Sequence, residues 1–265
     1  MADLTRLFDA FDQLIGAAAG TLDEAAVRPH AEVARNVRRR SGFLGETVVV
    51  ALAGGTGSGK SSLLNALAGE EVATVGAIRP TTSKPLAWIP ETPEPGLTRL
   101  LDDMGVEQRV GHRADTALAI IDMPDVDSVV GAHRDIFEAL LPRVDVVWWI
   151  VDPEKYNDRL LHKEYLEPLA EYHEQFLFVL NQIDRLDSSA LTAVVDDLRR
   201  RLQADGIVDP SIVVVAARPP GRDPLGLDEL WDAVHRRRDA KTSALRKLVV
   251  DVRRSAAAVA HLAGL

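Results

Sequence analysis

An α/β fold, with a mostly parallel six-stranded sheet covered by helices on both faces, is what this 265-residue sequence predicts. Two observations carry it. Short β-rich runs alternate with amphipathic stretches from residue 47 to about residue 237, as they do where crossover helices join parallel strands. A glycine-rich turn, AGGTGSGKSS over 53–62, sits between a β-branched run and a helix start. It fits the phosphate-loop pattern G-x-x-x-x-G-K-[ST], whose confirmation is that strand–loop–helix context.

Taken in order, the first expected element is a helix, because Leu4, Leu7, Phe8, Phe11, Leu14 and Ile15 recur at three- and four-residue steps. A second helix is expected over 23–40, with Pro29 interrupting or kinking it. Strands are expected at 47–53, 86–89, 117–121, 146–151, 176–180 and 212–216. Five of them are nearly continuous in apolar residues, as strands buried on both faces are. Helices are expected at 61–68, 128–140, 158–172, 189–203 and 227–237, and a long loop over 69–84, which holds no sustained period. Apolar residues at Leu245, Leu248, Val249, Val252, Ala256 and Val259 extend a terminal helix to about 262. Its stripe and that of the first helix both need cover, so the two ends of the chain are expected to meet in a small helical appendage. The expected units are 1–44, an N-terminal helical extension, 45–238, the nucleotide-binding domain, and 239–265, a C-terminal helix against the N-terminal ones. The chain ends in AAAVAHLAGL without a cap signal, as a piece of a longer protein would.

Composition narrows the function. Forty-six per cent of residues are apolar and the net charge is −9, which argues against a nucleic-acid binder relying on bulk electrostatics. There is no cysteine, hence no disulfide, zinc–thiolate site or thiol nucleophile. No secretory signal and no apolar stretch of bilayer-spanning length is visible, so a cytoplasmic place is expected. The seven histidines fall in no metal-ligand spacing, and no G-x-S-x-G elbow occurs. Trp148 and Trp149 are consecutive on a strand, so they face opposite sides and read as core.

The phosphate loop carries the chemistry. Gly54, Gly55, Gly57 and Gly59 clear space for backbone N–H groups to close around phosphate oxygens, with Thr56 and Ser58 between them. Lys60 can reach the β- and γ-phosphates and serves the ligand, not the core. Ser61 is placed to ligate Mg²⁺, and Ser62 opens the helix whose positive end faces the anion. Downstream, Asp122 ends the third expected strand within DMPD, where a carboxylate can hold a water of the Mg²⁺ shell, and Asn181-Gln182-Ile183-Asp184 follows the fifth. A carboxylate at 184 can accept from both the ring N–H and the exocyclic amine of guanine, a donor pair that adenine lacks. Read as structure alone, these acids are helix caps or turn residues.

The order GGTGSGKSS, TT within RPTTSKP, DMPD, NQID and VVVAAR resembles the five sequence boxes of translation-factor-related P-loop GTPases, in the Era-like and bacterial dynamin-like branch. The resemblance covers about 47–237. It implies a P-loop NTPase three-layer sandwich that hydrolyses GTP to GDP with Mg²⁺. Thr82, with Thr81 as the alternative, would ligate Mg²⁺ from the first switch, and Asp122 would hold it through water. The second switch would begin at Asp125, while Ala216, Ala217 and Arg218 would lie near the base. Lys60, Thr82, Asp122 and Asp125 are the implied catalytic set. Three departures stand out: Asp125 replaces the glycine of D-x-x-G, Val126 replaces the water-orienting glutamine, and Gln182 replaces the lysine of the fourth box. Gly57 stands where potassium-activated relatives carry asparagine. Implied partners are a second copy across the nucleotide and, through the terminal helices, a membrane or protein, placing the chain peripherally at the inner membrane. The alternatives are an ATP-dependent kinase or ATPase, against which Asp184 speaks, and a nucleotide-gated scaffold with incidental hydrolysis.

Overall fold

The computed structural model describes residues 4–39, 45–73, 84–114, 117–125 and 140–263. Its centre is strand β1 (Val48–Ala53), every residue of which is buried. Parallel to it lie β4 (Leu118–Asp122) on one side and β5 (Val146–Val151) on the other, followed by β6 (Phe176–Leu180) and β7 (Ile212–Val214). Such strands bury both faces, and the period of two divides them cleanly. Val49, Ala51 and Ala53 enter one core, while Val48, Val50 and Leu52 enter the other. Trp149 goes with the first set, against Tyr165 and Phe176, and Trp148 with the second, so both tryptophans are core as expected.

The described sheet has seven strands, in the order β3-β2-β4-β1-β5-β6-β7, and not six. The additional strand is β3 (Gln108–His112), which pairs in parallel with β2 (Leu86–Pro90). β2 itself runs antiparallel to β4. QRVGH has no apolar run because it is an edge strand with mostly half-covered or exposed residues, and so its sequence gave no strand signal. Ala216 lies beyond β7, in an isolated antiparallel bridge to Leu225.

Helices α1 (Leu4–Ala19) and α2 (Glu24–Arg39) precede the sheet. α2 continues through Pro29 without interruption. The proline is the sixth helical residue, close enough to the N-terminus that the one N–H it removes costs the helix little continuity. After β1 comes α3 (Lys60–Ala68), and after β2 comes α4 (Pro95–Asp103), an element the periodicity missed in a Pro- and Gly-containing stretch. Pro95 occupies its first turn, and Leu97, Leu100 and Leu101 are its buried face. The helix expected over 128–140 falls almost wholly outside the described residues, as do residues 74–83 of the expected loop.

The helix expected over 158–172 is broken into shorter pieces. Residues Leu161–Leu166 are wound as a π-helix, with Glu167 N–H donating to the His162 carbonyl, and Ala170–Gln175 form a 3₁₀ segment. Pro168 explains the break, since it has no N–H to continue the ladder. α5 (Ser188–Ala204) is capped by Asp187, whose side chain accepts from Ala190 N–H at 2.8 Å.

The last element, α6 (Leu227–Leu262), is one helix of 36 residues, about 54 Å long at 1.5 Å per residue. The expected boundary at 238/239 lies inside it. Its first half buries Leu230 and Val234 against the sheet, and its second half buries Leu248, Val252 and Val259 against Phe8, Phe11 and Ile15 of α1 and Val27, Ala34 and Val37 of α2. Among the described residues, α1, α2 and the second half of α6 share a hydrophobic cluster to which no strand contributes. Where α6 leaves the sheet, the Lys241 ammonium donates to the Thr47 carbonyl at 2.7 Å and pairs with Asp145 at 2.7 Å. No described helix is long and apolar enough to cross a membrane.

Candidate nucleotide site

The carboxyl ends of β1, β4, β5 and β6 meet at one edge of the sheet, and the loops leaving them build the site. The glycine-rich turn begins where β1 ends. At Gly54, φ is +154°, and a Cβ there would stand 2.3 Å from the Ile150 carbonyl oxygen, a backbone atom that cannot move aside. Gly59, at φ +95°, closes the turn as the residue before α3, and a Cβ there would stand 2.3 Å from Asn181 Nδ2. Only glycine fits either place.

Four carbonyls of this loop are fastened by side chains. Lys60 Nζ donates to Gly54 O at 2.9 Å, Lys155 Nζ to Thr56 O at 3.0 Å, Gln182 Nε2 to Gly57 O at 2.8 Å and Asn181 Nδ2 to Ser58 O at 2.9 Å. With these carbonyls engaged by side chains, the loop's backbone N–H groups are left to serve as an anion cradle for phosphate oxygens. Gln182 therefore reaches the loop in spite of replacing a lysine, and its own backbone is left-handed, φ +63°, to do so.

Asn181 is the joint of the site. Buried after β6, it holds Ser58 with its amide nitrogen, while its amide oxygen accepts from Ala217 N–H at 3.1 Å and from Gln182 N–H at 2.8 Å. The phosphate loop, NQID and VVVAAR are so brought together. Ala216 and Ala217 are buried, Arg218 is exposed, and Asp184 stands exposed on the short turn Ile183–Arg185. Ile183 N–H donates to the Val215 carbonyl at 3.3 Å, which ties that turn to the strand end beside it.

On the phosphate side, Lys60 is buried and ion-paired with Asp125, which is buried as well. Ser61 Oγ donates to Asp122 Oδ2 at 2.8 Å. Asp122 is fully buried, and its other oxygen, Oδ1, has no hydrogen-bond partner among the described residues. A hydroxyl beside a carboxylate with an orphaned acceptor is a donor set that suits Mg²⁺ and its waters. Burial pushes the Asp122 carboxyl up to about 6, against the pull of Lys60 and the Ser61 hydrogen bond and with the help of Asp125. Thr81, Thr82 and Val126 lie outside the described residues. Ser62 is half-buried in the first turn of α3.

Sequence reasoning missed Asp152 and Lys155 here. Asp152, at the end of β5, is buried and accepts from the N–H groups of Glu154 at 2.9 Å and Lys155 at 3.1 Å, which sets the turn that presents Lys155 to Thr56. An aspartate at the carboxyl end of a buried parallel strand was the available signal.

The raised Asp122 carboxyl has a consequence for stability. A carboxyl whose folded value lies above its unfolded one binds more protons when folded, so its contribution is lost as pH rises from about 4 to about 6. The gap corresponds to roughly 3 kcal/mol. Without nucleotide or Mg²⁺, Asp122→Asn is expected to be more stable than the parent at pH 7, and the difference to shrink toward pH 4.5. Denaturant unfolding of both proteins at the two pH values checks this; a constant difference would show that Asp122 is not held protonated by its surroundings.

A phosphate loop at the carboxyl edge of a mostly parallel sheet between helices defines a P-loop nucleotide-binding protein. Residues 49–182 match the family described as 50S ribosome-binding GTPase, and the chain belongs to that family. The resemblance drawn from the five boxes agrees with this, and the kinase alternative is not favoured. Among relatives, the chain is 26% identical over 206 residues to GTPase Era of Erythrobacter litoralis, covering 71% of this chain and 61% of that one. It is 30% identical over 150 residues to the uncharacterized protein YfjP of Escherichia coli K12, covering 54% and 44%. The chain thus spans about half the length of these curated relatives. Its fold is shared, at 15% identity and a TM-score of 0.55, with a structure of an oligomerised bacterial dynamin pair, over 96% of this chain and 56% of that one.

Proposed function

We propose that the chain binds GTP with Mg²⁺, hydrolyses it to GDP and phosphate, and acts as a nucleotide-dependent switch. The observation that carries this reading is Asn181, which couples the phosphate loop to the turn bearing Asp184 and to Ala217. In this reading Gly54, Gly55, Thr56, Gly57, Ser58, Gly59, Lys60, Ser61 and Ser62 hold the phosphates, and Asn181, Gln182, Asp184, Ala216, Ala217 and Arg218 surround guanine. Ser61, Asp122 and Thr82 would hold Mg²⁺, which when bound supplies charge neutralisation on the phosphate oxygens. The protein's own contribution is positioning: the fastened loop presents fixed N–H donors where negative charge develops, at no reorganisation cost during the reaction.

The functional units of this reading are a GTPase domain over 45–238 and an appendage made by 1–44 and 239–265. We further propose that two copies meet across the nucleotide, and that the appendage engages a protein or membrane partner from the cytoplasmic side. Oligomerisation in the bacterial dynamin pair supports the first, and the basic residues Arg246, Lys247, Arg253 and Arg254 on α6 support the second.

Since Val126 cannot orient a water, the isolated monomer is expected to turn over GTP slowly, on the order of 10⁻⁴ to 10⁻² s⁻¹. A second copy completing the site would make specific activity rise with protein concentration. Phosphate release measured over a wide concentration range tests this. A fast rate independent of concentration would contradict it, and no release from GTP at any concentration would remove the hydrolase reading.

A further inference from the structure

The anion that Lys60 holds in the structure is the chain's own. Lys60 carries three N–H donors, of which one goes to the Gly54 carbonyl and one to the Asp125 carboxylate. The side chains of Lys60 and Asp125 are only 4% and 5% exposed, so this is a desolvated ion pair in which neither charge is spread into water. Asp122 adds a second carboxyl beside it, close enough for Asp125 to act on its ionisation. Two acidic groups and one ammonium therefore already share the space beside the phosphate loop. A glycine at 125 would leave Lys60 without a carboxylate partner there.

We propose that Asp125 discriminates between nucleoside di- and triphosphates, its carboxylate standing beside Lys60 where a γ-phosphate must come. The inference rests on the guanine-nucleotide reading above. Lys60 has one N–H left, which can meet a β-phosphate without disturbing the pair with Asp125. A γ-phosphate brings further negative charge to the same ammonium, and two anions competing for one buried cation repel each other. The triphosphate must then displace Asp125, whereas the diphosphate need not. The chain so favours its diphosphate state by a fixed negative charge rather than by the shape of the loop.

The test is the ratio of the dissociation constants for GDP and for a non-hydrolysable GTP analogue, with Mg²⁺, read by displacement of a fluorescent guanine nucleotide. Asp125→Asn keeps the shape and removes the charge, Asp125→Gly removes the side chain, and Asp125→Glu keeps the charge. Asn and Gly are expected to shift the ratio toward the triphosphate analogue by about tenfold or more, while GDP affinity moves less than about threefold. Glu is expected to leave the ratio near that of the parent. Equal shifts for both nucleotides, or a shift toward GDP, would overturn the inference while leaving the guanine-nucleotide reading intact. Absence of any guanine-nucleotide binding by the folded parent would overturn that reading and the inference with it.

Discussion

Lys60→Ala is expected to abolish the stabilisation that saturating GTP gives the parent, and also to weaken the ligand-free protein. The first effect follows from removing the ammonium that, in the proposed reading, meets the phosphates. Ligand at 100 times its dissociation constant adds about 2.7 kcal/mol, and this gain would vanish. The second effect corrects the expectation that Lys60 serves the ligand alone. In the structure it is buried and neutralises Asp125, and removing one partner of a buried pair costs about 3 to 5 kcal/mol because the other charge is left without compensation. The two effects are separable. Lys60→Ala combined with Asp125→Asn removes both charges, so it is expected to recover most of the lost stability and none of the nucleotide response. Denaturant unfolding with and without GTP and Mg²⁺, on the parent, both single variants and the double variant, measures all of this. A GTP-dependent stabilisation of Lys60→Ala equal to that of the parent would remove the phosphate-loop assignment. A double variant no more stable than Lys60→Ala would remove the ion-pair account.

The parts of this fold that were legible in the sequence are those in which one physical requirement dominates. β1, β5 and β6 are buried on both faces, so their residues had to be apolar in succession, and the observed bounds Val146–Val151 and Phe176–Leu180 coincide with the expected ones. The phosphate loop was legible because its conformation excludes Cβ atoms at Gly54 and Gly59. β3 was not, since an edge strand needs no apolar run, and Arg109 and Gln108 are as suitable there as valine. α4 hides behind Pro95 and Gly96, which read as loop residues until the buried face of Leu97, Leu100 and Leu101 is seen. Within the site, the motifs located Asp122, Asn181 and Asp184 but not what joins them. The bond from Asn181 to Ala217 spans 36 residues of sequence and that to Ser58 spans 123, and neither has a local pattern. The same holds for Asp125, whose pairing with Lys60 65 residues away turns a departure from D-x-x-G into an interaction.

Base choice separates a guanine site from an adenine site most sharply, and the proposed reading assigns that choice to Asp184. Asp184 stands exposed on a turn whose leading end is held, by Ile183 N–H on the Val215 carbonyl and by Gln182 on the phosphate loop. In the proposed reading, the exposed carboxylate on this turn accepts two hydrogen bonds from guanine, one from the ring N–H and one from the exocyclic amine. Asp184→Asn replaces one acceptor by an amide donor, which then opposes the amine of guanine. Leaving that donor pair unmatched once the base covers it costs roughly 1 to 3 kcal/mol. Xanthine carries an oxygen in place of the amine, so the same amide can donate to it. The variant is therefore expected to bind GTP about 5- to 150-fold more weakly, the factor equivalent to that energy, to gain affinity for XTP, and to gain nothing comparable for ATP. Because Asp184 is exposed and outside both hydrophobic cores of the sheet, the fold should tolerate the change, and unfolding in the absence of nucleotide should match the parent. Competition of GTP, XTP and ATP against a fluorescent nucleotide on both proteins gives the answer. Unchanged affinities for all three would mean that Asp184 does not touch the base, and a parent that prefers ATP would place the site outside the guanine-binding class.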